Sequence, residues 1–303
     1  MTSEESFENR VAFAIGTGRC GTHFVAEVMA AEPGVASWHE RDPMCDTFHR
    51  YCKWYGLPVD DEGFLHHKAA GIRRDVASGR LSFEASSYLT LSVRELYGRF
   101  GARFVLMVRR PDAVINSYLG KGWYEKAYVA GDPRKALGYQ HGKLPHHFFS
   151  RIAPRGEKLL RWNGLTRVGK LAWFWNAVNL AALAELGGVP ESHRRVQKLE
   201  EMDYMGYRDL TRFLGVETAL DEARFRRIAD SRPGKGPGVR SVADWTHQER
   251  AEYESLVEEA AERLGYRWRV RDLRASAPVQ QPPAPRWTPT HLLRSVVRRV
   301  RKK

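Results

Sequence analysis

The chain has 303 residues, 43% hydrophobic and 28% charged, which is enough for one large α/β domain or two small ones, and no apolar run approaches the roughly 20 residues a bilayer span needs. Residues 1–6 are polar and acidic, unlike a secretory signal, and three cysteines (Cys20, Cys45, Cys52) make no disulfide framework, so a reducing, cytoplasmic setting is expected. Of the formal net charge of +13, nine basic side chains from Arg271 onward against Asp272 alone account for +8; the remaining +5 suits an anionic substrate and does not call for nucleic acid.

Residues 11–15 read as a short buried strand, 16–21 as a glycine-rich turn, and 22–31 as a helix with Phe24, Val25, Val28 and Met29 on one face. Pro33-Gly34 ends that helix. Strands are expected at 35–38 and 81–85, and the clearest is 104–108, continuously apolar as in a parallel sheet covered on both faces. Pro111 suits the first turn of a helix over 112–119. The stretch 120–164 is rich in Gly, Pro, His and aromatic residues and reads as a long, partly irregular insertion beside the substrate. A helix over 168–186, a last strand over 195–199 and a helix over 207–214 closed by Gly215 follow.

Residues 231–241 form a Gly/Pro-rich loop, and Thr246 with Glu249 makes a capping box that opens a helix running to 264, stopped by Gly265. Alternating strands and helices imply a doubly wound sheet: an α/β, P-loop-like three-layer sandwich with a central parallel sheet and helices on both faces. The expected organisation is a domain over 1–271, a Pro-rich linker over 272–288 and a basic tail over 289–303. In the tail, Thr288 and Pro289 suit a helix start, and Leu292, Leu293, Val296, Val297 and Val300 share one face. Such a segment suits peripheral docking on an anionic inner membrane face; a solvated, solubilising tail is the alternative.

Strand, glycine loop, helix is the arrangement that cradles phosphates, because backbone N–H groups of the turn and the helix N-terminus point at the anion. The loop Gly16-Thr17-Gly18-Arg19-Cys20-Gly21-Thr22 has the glycine spacing of the Walker A frame. Thr22 occupies the lysine position, however, His23 the magnesium-holding hydroxyl position, and the cation comes earlier, at Arg19. That is a poor frame for hydrolysing a nucleoside triphosphate.

At these residues the sequence resembles the superfamily of sulfotransferases that use PAPS (3′-phosphoadenosine 5′-phosphosulfate). The family's 5′-phosphosulfate loop has a cation, a small residue, Gly, then Thr or Ser twice; Arg19-Cys20-Gly21-Thr22 fits, and His23 departs at the last position. The family also carries an arginine at a strand end and a serine eight residues on, both holding the 3′-phosphate, and Arg109 and Ser117 reproduce that spacing. A strand end sets the guanidinium in the crevice, and the next helix turns the serine back towards it. Lys235 and Gly236, ahead of Trp245, fall where members close a basic loop over the nucleotide. The resemblance spans roughly 10–265 and implies nucleotide contacts from Gly18, Arg19, Cys20, Gly21, Thr22, His23, Arg109, Ser117, Lys235 and Gly236. It implies PAPS as co-substrate, PAP as product and no metal.

Sulfuryl transfer needs the phosphosulfate charge neutralised, the acceptor in line, and a hydroxyl or amine proton removed. Arg19 is the candidate for stabilising the bridging oxygen as PAP leaves. For the base, bacterial and Golgi-type members use a glutamate just after the second strand, where this chain has His39-Glu40-Arg41. Cytosolic members use a histidine near the third strand; here that region reads Phe83-Glu84-Ala85-Ser86 and has none, so the resemblance is to the bacterial or Golgi type. The candidates rank Glu40, then His39, then Glu84. Alternatively, Glu40 forms a salt bridge to Arg41 or Arg19, and Glu84 positions the acceptor or orients Arg19.

Trp123, Tyr124, Trp162, Trp173 and Trp175 offer faces for stacking on a sugar or a lipid, with Trp173 and Trp175 the best suited to the core, while His146 and His147 read as a surface pair. The acceptor stays open among sugar, glycolipid, phenol and amine. Competing readings are a nucleotide kinase or NTPase, which wants an acidic magnesium ligand where Arg109 stands, and a non-catalytic basic membrane-binding protein. The second explains the tail but not two phosphate elements in order.

Overall fold

The computed structural model describes residues 7, 9–125, 146–231, 240 and 242–275. Val11–Gly16 (β1), Val35–His39 (β2), Leu81–Ala85 (β3), Arg103–Val108 (β4) and Arg194–Lys198 (β5) build one sheet in the order β2-β3-β1-β4-β5, with every neighbouring pair parallel. Parallel neighbours need crossovers, and helices supply them. After β1 comes α1 (Thr22–Met29); between β2 and β3 lie α2 (Pro43–Tyr55) and α3 (Asp61–Ala77); α4 (Val93–Phe100) leads into β4. Then follow α5 (Pro111–Leu119), α6 (His146–Ser150), α7 (Lys158–Asn163) and the long α8 (Arg167–Leu186). Beyond β5 are α9 (Tyr204–Leu214), α10 (Glu222–Asp230), α11 (His247–Arg263) and α12 (Val270–Ala275).

The two central strands are apolar because both their faces are covered. Successive side chains point to opposite faces, so the sheet divides the interior in two. Val11, Phe13, Ile15, Phe104, Leu106 and Val108 join one core with α3, α4, α5, α8 and α11. Ala12, Ala14, Phe83, Ala85, Val105 and Met107 join the other with α1, α9 and α10. The result is the expected three-layer α/β sandwich, P-loop-like in its strand, glycine loop and helix at β1.

Local signals set several boundaries. Asp60 caps α3 by accepting from Gly63 N–H at 2.8 Å, Gly215 closes α9 in the left-handed region at φ 71°, and the Thr246–Glu249 capping box opens α11. Several segments differ from the sequence reading, α4 and α10 among them, where no element is expected. The run between β2 and β3 is two long helices with no element expected there. The aromatic cluster is largely core: Tyr124 and Trp162 are 2% exposed and Trp175 0%, so none offers a face to a sugar or a lipid. Trp123 and Trp173 are partly buried against the same core.

Helix α12 runs across the expected domain boundary at 271. Lys235 and Gly236, the middle of the insertion over 126–145, and 276–303 lie outside the described residues. Among the described residues no helix is long and apolar enough to cross a membrane.

Candidate active site

The chain leaves β1 for β2 on one side, returns through β3, and then crosses to β4 on the other side of β1. In open parallel sheets such a reversal opens a crevice at the carboxyl ends of the strands. The loop after β1, the His39–Arg41 turn, the Ser86–Leu89 segment and Arg109 all lie at that edge.

The loop after β1 is shaped by close backbone approach. A methyl at Gly16 would run into the Met107 carbonyl and the Cys20 sulfur, and one at Gly18 into the Tyr118 hydroxyl. Gly18 and Arg19 are successive left-handed residues, at φ 76° and 57°. A tight turn of successive backbone N–H groups is the kind of geometry that makes an anion-binding concavity. A left-handed arginine is uncommon, and here it is tied down: Arg19 Nε donates to Ser117 Oγ at 2.8 Å, and Arg109 Nη1 donates to the Arg19 carbonyl at 3.2 Å. The Tyr118 hydroxyl donates to the Thr17 carbonyl at 2.6 Å, so α5 holds the loop a second time. Trp175 Nε1 in turn donates to the Arg109 carbonyl at 3.1 Å.

Arg109 and Ser117, 90 and 98 residues from Arg19 in sequence, therefore form one cluster with it. The other loop residues divide by exposure. Cys20 is 0% exposed and burial pushes its thiol up, so its side chain packs inside the fold. Thr22 is buried, with Oγ1 3.5 Å from His39 Nε2. His23 is exposed on α1, 3.4 Å from Glu27 and edge-on to His39 with ring centroids 4.9 Å apart. Gly21, at φ 102°, lies against Leu199.

Glu40 is also left-handed, at φ 50°. Its N–H donates to the Ala85 carbonyl at 3.0 Å and its carboxylate accepts from Ser87 Oγ at 3.4 Å. Burial pushes its pKa up to about 7, opposed by the Ser87 bond and by the Arg50 charge. Arg41 does not pair with it: the guanidinium turns to Asp75 and lies over the Trp38 ring, 4.7 Å from the centroid. His39 is pulled down to about 4, first by burial and then by His23; it is neutral near pH 7 and a weak proton acceptor.

Glu84 lies beneath the crevice rather than in it. Phe83 and Ala85 face one core, so Ser82 and Glu84 point to the opposite face, towards α3. Lys68 Nζ meets the two Glu84 carboxylate oxygens at 2.9 and 3.0 Å, and the Arg41 N–H donates to Oε1 at 3.1 Å. With both oxygens engaged and 2% exposed, Glu84 has no path to an acceptor proton, and its partners are Lys68 and Arg41 rather than Arg19.

Two features escaped the sequence reading. Arg50 on α2 is 1% exposed, donates to the Ser87 and Ser150 carbonyls at 3.1 and 2.7 Å, and lies over the Tyr88 ring. No sequence pattern singles it out. Lys68 is buried beside Asp46, with an Nζ–Oδ1 distance of 2.7 Å. It sits on the stripe of Phe64, Leu65, Ala69 and Ile72, and a lone lysine on an apolar face was the signal available. Among the described residues no group of three or more His, Cys, Asp and Glu side chains is arranged to hold a metal.

No protein-family model matches the chain, and no curated protein matches it. Among solved structures, the sulfotransferase domain from the curacin biosynthetic pathway is similar at 11% identity and TM-score 0.48, covering 87% of this chain and 100% of its own. A sulfotransferase from Alicyclobacillus acidocaldarius is similar at 17% identity and TM-score 0.45, covering 84% of this chain and 98% of its own. The sulfotransferase domain from the Synechococcus PCC 7002 olefin synthase gives 14% identity and TM-score 0.46, covering 98% of both chains. Likenesses this distant add nothing to what the loop and the sheet say by themselves.

Proposed function

We propose that this chain is a sulfotransferase that moves a sulfuryl group from PAPS to a hydroxyl or amine of an acceptor and releases PAP. The observation that carries this reading is the convergence of Arg19, Arg109 and Ser117 on one left-handed glycine loop, with Glu40 at the same sheet edge. In this reading the N–H groups from Gly18 to Thr22 receive the 5′-phosphosulfate, and Arg109 and Ser117 receive the 3′-phosphate. The bond to Ser117 uses Arg19 Nε, which leaves the terminal guanidinium nitrogens for the transferring group.

As the acceptor oxygen or nitrogen bonds to sulfur, the bond from sulfur to the bridging oxygen breaks. That oxygen departs with PAP, keeping the electron pair, and Arg19 stabilises its charge. The acceptor's proton passes to Glu40, whose carboxylate near pH 7 is closer to the operating pH than neutral His39 with its depressed pKa. Lys235 and Gly236 complete the nucleotide site in this reading. A carbohydrate or glycolipid is the first acceptor class to test.

Equilibrium titration with PAP and with ATP plus magnesium tests the donor site. PAP binding well above ATP is expected. Tighter binding of magnesium–ATP would make the loop a triphosphate site and end the sulfotransferase reading.

A further inference from the structure

The turn that carries Glu40 is fixed from below by charged groups that take no part in the proposed chemistry. Glu40 is left-handed, and the peptide N–H groups on either side of its Cα are both held by β3. Its own N–H donates to the Ala85 carbonyl at 3.0 Å, and the next, from Arg41, donates to Glu84 Oε1 at 3.1 Å. The Arg41 side chain is anchored too: it packs against Gly71, pairs with Asp75 and donates to Ser82 Oγ at 3.2 Å. Residue 41 is thus secured at backbone and side chain, while residue 40 projects into the crevice.

Glu84 is held in turn by Lys68, and Lys68 by Asp46; the three are 2%, 2% and 0% exposed. One lysine between two buried carboxylates is an expensive arrangement, and in other proteins apolar groups of similar volume often replace such a cluster at no loss of stability. Beside the proposed base, this network reaches the Arg41 backbone N–H. We propose that Glu84 is a positioning residue for Glu40: fixed by the buried Lys68–Asp46 pair, its carboxylate clamps the Arg41 N–H and holds the left-handed turn that aims the Glu40 carboxylate at the acceptor.

The inference rests on the reading of Glu40 as base, and the two fail separately. An active Glu40→Gln enzyme removes the base, whereas the test of the clamp compares variants in which Glu40 is intact. Glu84→Gln keeps a side-chain carbonyl oxygen for the Arg41 N–H, and Glu84→Met, of similar length, removes it. Both leave Lys68 paired with Asp46 as a balanced ion pair. Glu84→Met is expected to lose about a hundredfold in kcat, the scale of a misplaced reacting group, with KM for PAPS and PAP affinity kept. Glu84→Gln is expected to recover most of that loss.

Both changes also remove a negative charge that faces Glu40, so the acidic limb of the pH–rate profile moves to lower pH in each; Arg50, Arg19 and Tyr88, the other charged or titratable groups around Glu40, are untouched. A Gln variant as slow as the Met variant, with PAP binding intact, would show that the carboxylate itself is required and overturn the clamp. Full activity in the Met variant would overturn it as well. Should neither variant fold, amide hydrogen exchange of the wild-type protein decides: protection of the Arg41 amide comparable to that of β3 supports the clamp, and free exchange rules it out.

Discussion

At the scale of single residues the account turns on charge. Arg19→Ala is expected to lower turnover by at least about a hundredfold, or ~3 kcal/mol, the scale of other preorganised charge stabilisers; steady-state kinetics with PAPS measures it. Arg109→Ala is expected to weaken PAP far more than a nucleotide without the 3′-phosphate, and an equal loss for both would place that phosphate elsewhere. Glu40→Gln should abolish transfer and leave PAP affinity nearly intact. Its pH signature has two parts. Transfer needs the carboxylate, so the rate falls as pH drops through about 7. Stability runs the other way: the folded chain holds the Glu40 proton up to about 7 while the unfolded chain releases it near the ordinary glutamate value of 4.5, so this group's contribution to stability is lost as pH rises between those values. Glu40→Gln should therefore melt above the wild type at pH 8 and level with it at pH 4. A wild type that melts higher at pH 8 would contradict the buried, raised carboxylate. Arg19, Arg109, Ser117 and Glu40 were legible in the sequence because each follows a strand or loop with its own pattern. Lys68 and Arg50 were not, because their roles depend on contacts 16 to 100 residues away.

At the scale of elements, the loop after β1 and helix α5 act as a unit. Tyr118→Phe removes the bond to the Thr17 carbonyl and should cost about 1 kcal/mol of stability. Gly18→Ala places a methyl against that hydroxyl in a left-handed residue and should cost about 2 kcal/mol or more. Urea unfolding of both variants checks the order; a Gly18→Ala protein as stable as wild type would mean that the loop is not packed as described. The central strands β1 and β4 were readable because a parallel sheet covered on both faces writes itself there as continuous apolar runs, and α8, α9 and α11 because each carries an apolar face with a cap or a stop. The helices α2 and α3 were missed for a physical reason. The buried face of α2 carries Asp46, Thr47, His49 and Arg50, so its periodic apolar signal breaks where the chain builds its polar network, and the apolar stripe of α3 is interrupted at Lys68 and Asp75. The same residues that hid these helices hold the turn under the candidate site.

At the scale of the whole molecule, the sheet order brings the ends of β1, β2, β3 and β4 to one edge, and segments far apart in sequence meet there. Alternation of strands and helices announced that sheet; the order β2-β3-β1-β4-β5 could not be read from it, because local patterns do not say which strands pair. The tail lies outside the described residues, and its reading rests on charge. Each basic residue near an anionic surface contributes about 1 kcal/mol, screened by salt. The full chain is therefore expected to sediment with anionic vesicles at low salt, and a truncation after Ala275 is not; equal partitioning would leave the tail as solvated charge. The central claim is the transfer itself. Incubating the full chain and its Glu40→Gln variant with sulfur-labelled PAPS and a panel of carbohydrate, glycolipid, phenol and amine acceptors, then following label and PAP by mass spectrometry, tests it most directly. The account predicts labelled acceptor and stoichiometric PAP from the wild type and neither from the variant; PAPS bound but no label transferred to any acceptor class, or equal transfer by both proteins, would contradict it.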